Sequence, residues 1–192
     1  MSPQRLMMPV VKVCSFTIAV FGLSLMLPLA TAWIYSSDNA AAYTLVLLVC
    51  ESLALAGAIA TWNYQIHALT PRHMFLITSV SWLLMSLLGA LPLLLTDTVF
   101  SLSDAVFEST SGLTTTGSTV LTGLDNLPAD ILLWRSMLQW IGGLGVIAMA
   151  VAIQKMMMSI YSASSEMPSR PAPIPNPDLV RPIISTAAPT YR

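Results

Sequence analysis

Charge is what this sequence has least of. Only 9 % of its 192 residues are Asp, Glu, Lys or Arg, against roughly a quarter in an ordinary soluble domain. With 55 % hydrophobic residues beside so few charges, the chain has the composition of a membrane protein. Its eight basic residues are scattered and the net charge is −1, which excludes a polyanion-binding surface and, with it, nucleic acid. Cysteine is scarce too, with two residues. Cys14 and Cys50 both fall inside apolar runs and read as small buried hydrophobes, not as a disulfide, redox pair or metal site. The two histidines, His67 and His73, have no Cys or further carboxylate at a ligand spacing, so the stretch from Asn63 to His73 reads as a solvated loop rather than a metal site. No Ser/His/Asp set, pocketed carboxylate pair or phosphate-binding glycine loop is present, so catalysis is not expected. No cofactor is implied.

What the sequence does have is long apolar runs. Val13 to Tyr35, as a helix, would measure about 34 Å, enough for a hydrocarbon core of about 30 Å. Arg5 and Lys12 before it and Ala30-Thr31-Ala32 within it also fit a cleaved signal, but the run is longer than a signal core and more spans follow. After the polar break Ser36 to Asn39, a second span covers 40–62, and so short a turn makes the two antiparallel. Glu51 falls near its middle, where a charged carboxylate costs on the order of 3 kcal/mol. It is therefore either a functional group of an ion path or an acid kept neutral or paired inside the bundle. A third span covers 74–96, with Pro92 one turn from its end as a bend or stop. A fourth covers 131–153 and carries Gly142, Gly143 and Gly145, which strip bulk from the helix and let another backbone approach. Arg135, in its first turns, either pairs with Asp125, Asp130 or Glu108 or snorkels to the interface.

Between the last two spans, 97–130 is too polar to cross lipid and too long for a turn. A short helix is expected over 103–111, with Ser103 as N-cap, Asp104 and Glu108 in its early turns and Gly112 as its stop. Its length of about 13 Å is roughly half a bilayer, so, entering from one face, it would end near the midplane. Residues 112–118 follow: Gly112-Leu113-Thr114-Thr115-Thr116-Gly117-Ser118. Thr114, Thr115 and Thr116 offer oxygen ligands without any charge, Gly117 admits a left-handed backbone, and the helix C-terminus would turn its negative dipole end toward them. Two readings stand open on composition: a filter lining an ion path, or a solvated connector beneath a surface helix.

Basic residues lie before span one, between spans two and three and after span four, while the loop 97–130 holds only acids. Both termini are thus expected in the cytoplasm, with Asp97, Asp104, Asp125 and Asp130 concentrating cations at an outer mouth. Beyond Ile153 come Pro168, Pro171, Pro173, Pro175, Pro177 and Pro182, which share no regular element, so residues from about Ser162 are expected to be disordered. The fold expected is all-α: four transmembrane helices plus a re-entrant half-helix and filter loop between spans three and four, arranged as an N-terminal helix pair (1–73), a helix-pore-helix repeat (74–153) and a tail (154–192).

The run from Asp104 to Thr119, followed by Leu132-Leu133-Trp134-Arg135-Ser136-Met137-Leu138-Gln139-Trp140-Ile141-Gly142-Gly143-Leu144-Gly145-Val146-Ile147, closely resembles the membrane subunit of bacterial Trk-type potassium uptake systems, in the Trk/Ktr/HKT superfamily. The resemblance covers roughly residues 1–153. It implies four such repeats around one pore, with K+ held by backbone carbonyls: Thr115 and Thr116 as central ligands, Thr114 and Gly117 beside them, and Gly112, Ser118 and Arg135 in support. It also implies a bacterial inner-membrane location in contact with the lipid bilayer, and a cytoplasmic nucleotide-binding regulatory subunit as partner. This sequence carries one repeat, and after Ile153 it departs from the family's continuation. A truncated or frameshifted transporter subunit, a homotetramer that closes the ring, and a non-conducting membrane interaction subunit are the readings this leaves.

Overall fold

The computed structural model describes residues 3–66 and 69–165. His67 and residues 166–192, with all six of the tail prolines named above, lie outside the described residues. The described residues form six α-helices and no strand: α1 (Pro3–Ser24), α2 (Met26–Ile34), α3 (Ala40–Ala60), α4 (Pro71–Leu95), α5 (Leu102–Leu113) and α6 (Ala129–Ser165), with a 3-10 turn at Leu124–Asn126 before α6. Among the described residues four stretches are long and apolar enough to cross a membrane: Met7–Ile34, Ala40–Ala60, Pro71–Leu95 and Ala129–Lys155. The expected all-α fold with a short helix between the last two spans is the fold observed.

The first span is broken where the sequence reading made it continuous. Pro28 has no N–H to give the Ser24 carbonyl and its ring crowds that position. The chain therefore tightens through a Leu25 N–H to Gly22 carbonyl bond of 2.9 Å before α2 begins. In α4, by contrast, Pro92 neither ends nor interrupts the helix, which runs on to Leu95. The start of α4 lies three residues earlier than expected. Thr70 is its N-cap, and the Thr70 N–H donates to Nδ1 of His73 at 3.1 Å in a reciprocal capping box. His73 is buried and belongs to the first turn of a helix, not to a solvated loop. Likewise α6 extends to Ser165, past the point where disorder was expected to begin.

Residues 1–148 form one compact unit. Within it α1 packs on α3 and α4, α2 on α3, and α4 on α3 and α5. In lipid the outer faces gain little by hiding from the solvent, so close packing and buried hydrogen bonds must hold helices together. Both are present. The indole of Trp134 is fully buried, meets Phe21 edge-on at 5.6 Å, and donates Nε1–H to the Gly89 carbonyl at 3.0 Å. A Cβ at Gly89 would lie 2.6 Å from Ser109 Oγ and 3.0 Å from Leu138 Cδ2, so α1, α4, α5 and α6 converge at this glycine. From Met149 the second unit, as far as it is described, continues helical to Ser165.

Candidate functional site

α5 is inserted between α4 and α6 and ends deep inside the unit. Ser109 faces Gly89 of α4, and Leu113, its last residue, lies against Gly142 of α6 so closely that a Cβ there would overlap the Leu113 carbonyl group. Gly142 is the fourteenth residue of α6, about 20 Å from its start at 1.5 Å per residue. That is half the length of the apolar stretch Ala129–Lys155. The short helix thus stops at mid-depth and does not lie on the surface. It is one residue longer at its start than expected, with Ser101 rather than Ser103 as N-cap, and two longer at its end.

Gly112 does not stop it. Gly112 is inside the helix, where a Cβ would come within 3.0 Å of Leu138 Cβ, so it is there to let α5 approach α6. The stop is Thr115, whose φ is +58°. Around it the Thr115 N–H donates to Gly112 O at 2.9 Å and the Thr116 N–H to Ser111 O at 3.0 Å, which is the Schellman arrangement, usually made with glycine at this position. A β-branched residue in the left-handed region is costly, about 1–2 kcal/mol, and persists only where the surroundings impose it.

The consequence for the following strand is chemical. Thr114, Thr115, Thr116 and Gly117 spend their N–H groups on the carbonyls of Thr110, Gly112 and Ser111, the Gly117 bond being long at 3.4 Å. Their own carbonyls take part in no hydrogen bond among the described residues. The stretch Thr114–Val120 is exposed throughout. Gly117 is left-handed at φ +75° with open space around it. The Ser118 carbonyl is different, because it accepts Ser111 Oγ–H at 2.6 Å. Nor do all three threonine hydroxyls face outward as ligands: Thr114 Oγ1 donates back to Thr110 O at 2.8 Å and sits 2.9 Å from Thr116 Oγ1. The free oxygens of the site are therefore the four carbonyls from Thr114 to Gly117.

Behind the strand, Arg135 resolves its three candidate partners in favour of Glu108. Its Nε donates to Glu108 Oε1 at 2.6 Å and its Nη2 forms an ion pair with the same oxygen. Glu108 Oε2 accepts from Thr119 Oγ1 and from the Val120 N–H, each at 3.0 Å. Glu108 is buried, so this completeness matters: leaving a buried ion pair without one partner costs about 3–5 kcal/mol. Glu108 was missed as a site residue by sequence reasoning, although it was one of the three acids named as possible partners of Arg135. Of the four acids expected at an outer mouth, Asp97, Asp104 and Asp125 are exposed, but Asp130 is fully buried and accepts Asn39 Nδ2–H at 2.8 Å. Glu51 is brought to an apolar groove between α1 and α3, lined also by Lys12, Phe16 and Trp62 and by no residue of α5 or the strand. No cluster of three metal-ligating side chains occurs among the described residues.

A half-length helix ending at mid-depth between two spans, followed by an uncharged strand with unspent carbonyls, defines a polytopic membrane protein of the re-entrant-loop class. The chain belongs to the TrkH family: the family's sequence profile, described as a cation transport protein, matches residues 40–171. It is 37 % identical over 145 residues to the Trk system potassium uptake protein TrkI of Halomonas elongata, covering 76 % of this chain and 29 % of that one. It is 36 % identical over 166 residues to the Trk system potassium uptake protein TrkH of Escherichia coli, covering 83 % and 33 %. The crystal structure of the potassium transporter TrkH from Vibrio parahaemolyticus superposes with a TM-score of 0.69 at 36 % identity over 77 % of this chain and 31 % of that one. The chain spans about a third of the length of the curated relatives it matches.

Proposed function

We propose that this chain supplies one strand of a K+ path, in which the carbonyl oxygens of Thr114, Thr115, Thr116 and Gly117 replace part of the ion's water shell, with Thr115 and Thr116 as the central ligands. The observation that carries the reading is the hydrogen-bond economy of that strand: its N–H groups are turned back into α5 and its carbonyls are left unspent at mid-depth. Carbonyl dipoles suit a monovalent cation, and the C-terminal end of α5 adds about half a negative charge to the same place. An anion finds no free N–H from Thr114 to Gly117. The names of the relatives, potassium uptake proteins, agree with K+ as the ion.

One strand cannot enclose an ion, so the path needs further strands, from other repeats or from other copies of the chain. Gly112 and Ser118 shape the strand and Arg135 supports it from behind. The site lies in a cell membrane, the bacterial inner membrane by the family resemblance, and the distribution of basic residues sets both termini in the cytoplasm. A cytoplasmic nucleotide-binding regulatory subunit is the partner this assignment brings with it. The flux is transport without bond-making, so no catalytic residue is assigned.

The test is rubidium uptake into cells that lack their own potassium uptake, expressing the chain alone or together with the remaining two thirds of a TrkH relative. Uptake that depends on the chain and is lost with Gly117→Asp, at unchanged membrane abundance, supports the path. Uptake in the combined expression that ignores this substitution makes the chain a non-conducting interaction subunit instead.

A further inference from the structure

The strand that would hold the ion is barely packed. Thr114 to Val120 are all exposed, a Cβ at Gly117 would meet nothing within 4 Å, and behind Gly117 and Ser118 lies a polar recess of about 80 Å³, lined by Glu108, Ser111, Arg135 and Gln139 among others. Leu121, just past the strand, packs against the core, so between α5 and Leu121 the strand's position is set by bonds, and these are few. Thr116 and Gly117 are tied by N–H, and Ser118 by its carbonyl, to Ser111 of α5. All of these hold the strand to the helix it grows from and do nothing to fix its far end. Among the described residues, Glu108 is the one side chain bonded both to the strand and to α6: Oε2 receives Thr119 Oγ1–H and the Val120 N–H, and Oε1 receives Arg135.

We propose that Glu108 is the positioning residue of this strand: it clamps the chain at Thr119 and Val120 onto α6 through Arg135, and so fixes the spacing of the four free carbonyls and the discrimination among monovalent cations. The inference rests on the ion-path reading given above. A carboxylate suits the task because it accepts four bonds in two opposite directions with no donor of its own. A glutamine accepts on one side only, and its NH2 group must face either Arg135 or the Thr119 and Val120 donors. Discrimination by carbonyls depends on their number and placement, so a strand released at one end keeps its ligands but loses their fixed arrangement.

Two variants probe the clamp. Glu108→Gln breaks one of its sides, and Thr119→Val removes the hydroxyl that donates to Glu108 and accepts the Leu121 N–H while leaving the Glu108–Arg135 pair in place, so the second remains informative if the first fails to fold. Asp38→Asn, an exposed acid in the turn between α2 and α3, controls for lost charge. In the full chain in lipid nanodiscs, hydrogen exchange at Val120 should quicken about tenfold in both variants, since each loosens the charged acceptor of its N–H, and stay unchanged in Asp38→Asn. In the uptake assay, at matched membrane abundance, sodium should compete with rubidium about tenfold better in the variants, whereas a merely structural role would lower abundance and leave that ratio alone. Unchanged Val120 exchange overturns the clamp. Faster exchange with an unaltered sodium-to-rubidium ratio overturns its part in selectivity. Faster exchange together with no rubidium uptake from the unsubstituted chain in any combination overturns the ion path and leaves the clamp standing.

Discussion

Gly142 on α6 seats the carbonyl of Leu113, the residue that ends α5: a Cβ at Gly142 would occupy the same space as that carbonyl, with the Leu113 Cα only 2.9 Å away. The depth at which the short helix stops is set by this contact. Gly143, one residue on, meets nothing closer than Thr115 Cγ2 at 3.9 Å, an ordinary contact. Gly142→Ala should therefore destabilise the fold by about 1–3 kcal/mol, as overpacking against unyielding backbone does. Gly143→Ala should be neutral or gain a few tenths from helix propensity. Thermal unfolding of both variants in the same detergent checks the contrast, and equal midpoints would remove Gly142 from its assigned role.

Thr115 makes a second, opposite prediction. At φ +58° it holds the left-handed position of the helix stop, and glycine takes that conformation without the penalty of about 1–2 kcal/mol. Thr115→Gly should thus raise stability slightly or leave it level despite removing a side chain. The carbonyl proposed as a ligand is retained in this variant, but the backbone bearing it is freer, so rubidium uptake should persist with weaker rejection of sodium. A clear fall in the unfolding midpoint would mean that the threonine side chain, not its backbone, matters at this turn.

The four spans were legible because lipid imposes a simple rule: a run of about 20 apolar residues. So was the half-helix, from its length and its acidic early turns, although both residues read as its ends were displaced, Ser103 to Ser101 and Gly112 to Thr115. What was not legible turned on tertiary contacts. Gly112 carries the composition of a helix stop, yet serves as a contact surface for Leu138, while the stop falls on Thr115, a residue whose propensity opposes it. Three glycines announced a close approach on α6, and only the partner could say that Gly142 is the one that needs to be bare. Arg135 had three acids to choose from. The choice of Glu108 follows from α5 descending beside α6, which sequence spacing alone does not give. The break before α2 was there to be read in Pro28 and was passed over because the hydropathy of the run is continuous.

Asn39 and Asp130 join parts of the chain 91 residues apart: Asn39 Nδ2–H donates at 2.8 Å to the carboxylate of Asp130, which is fully buried and lies beside Tyr43. The turn between the first two spans is thereby tied to the start of α6. Asn39→Ala deprives a buried carboxylate of a hydrogen bond and should cost about 1.5–3 kcal/mol. Replacing both, Asn39→Ala with Asp130→Ala, removes donor and acceptor together and should cost less than the single change. Unfolding of Asn39→Ala, Asp130→Ala and the double variant forms a double-mutant cycle, and an additive result would show that the pair contributes nothing jointly.

Glu51 supplies the last prediction, because its two readings diverge. Its Oε1 is buried without a hydrogen-bond partner among the described residues, pressed toward Gly22 and Cys50 at the α1–α3 contact, 2.7 Å from where a Gly22 Cβ would lie. A buried polar atom left unsatisfied costs about 1–3 kcal/mol, and this one is near the centre of a span, where hydrocarbon and not water is the surrounding. None of the residues that share its groove belongs to α5 or to the strand from Thr114 to Gly117. An acid that handled the ion would be expected to face that strand. Glu51→Leu should therefore raise the unfolding midpoint, by the equivalent of roughly 1–3 kcal/mol, and leave rubidium uptake and its sodium competition as they were. Loss of uptake in a Glu51→Leu protein of normal abundance would instead assign the carboxyl to the ion's passage, and would require the groove between α1 and α3 to be part of it.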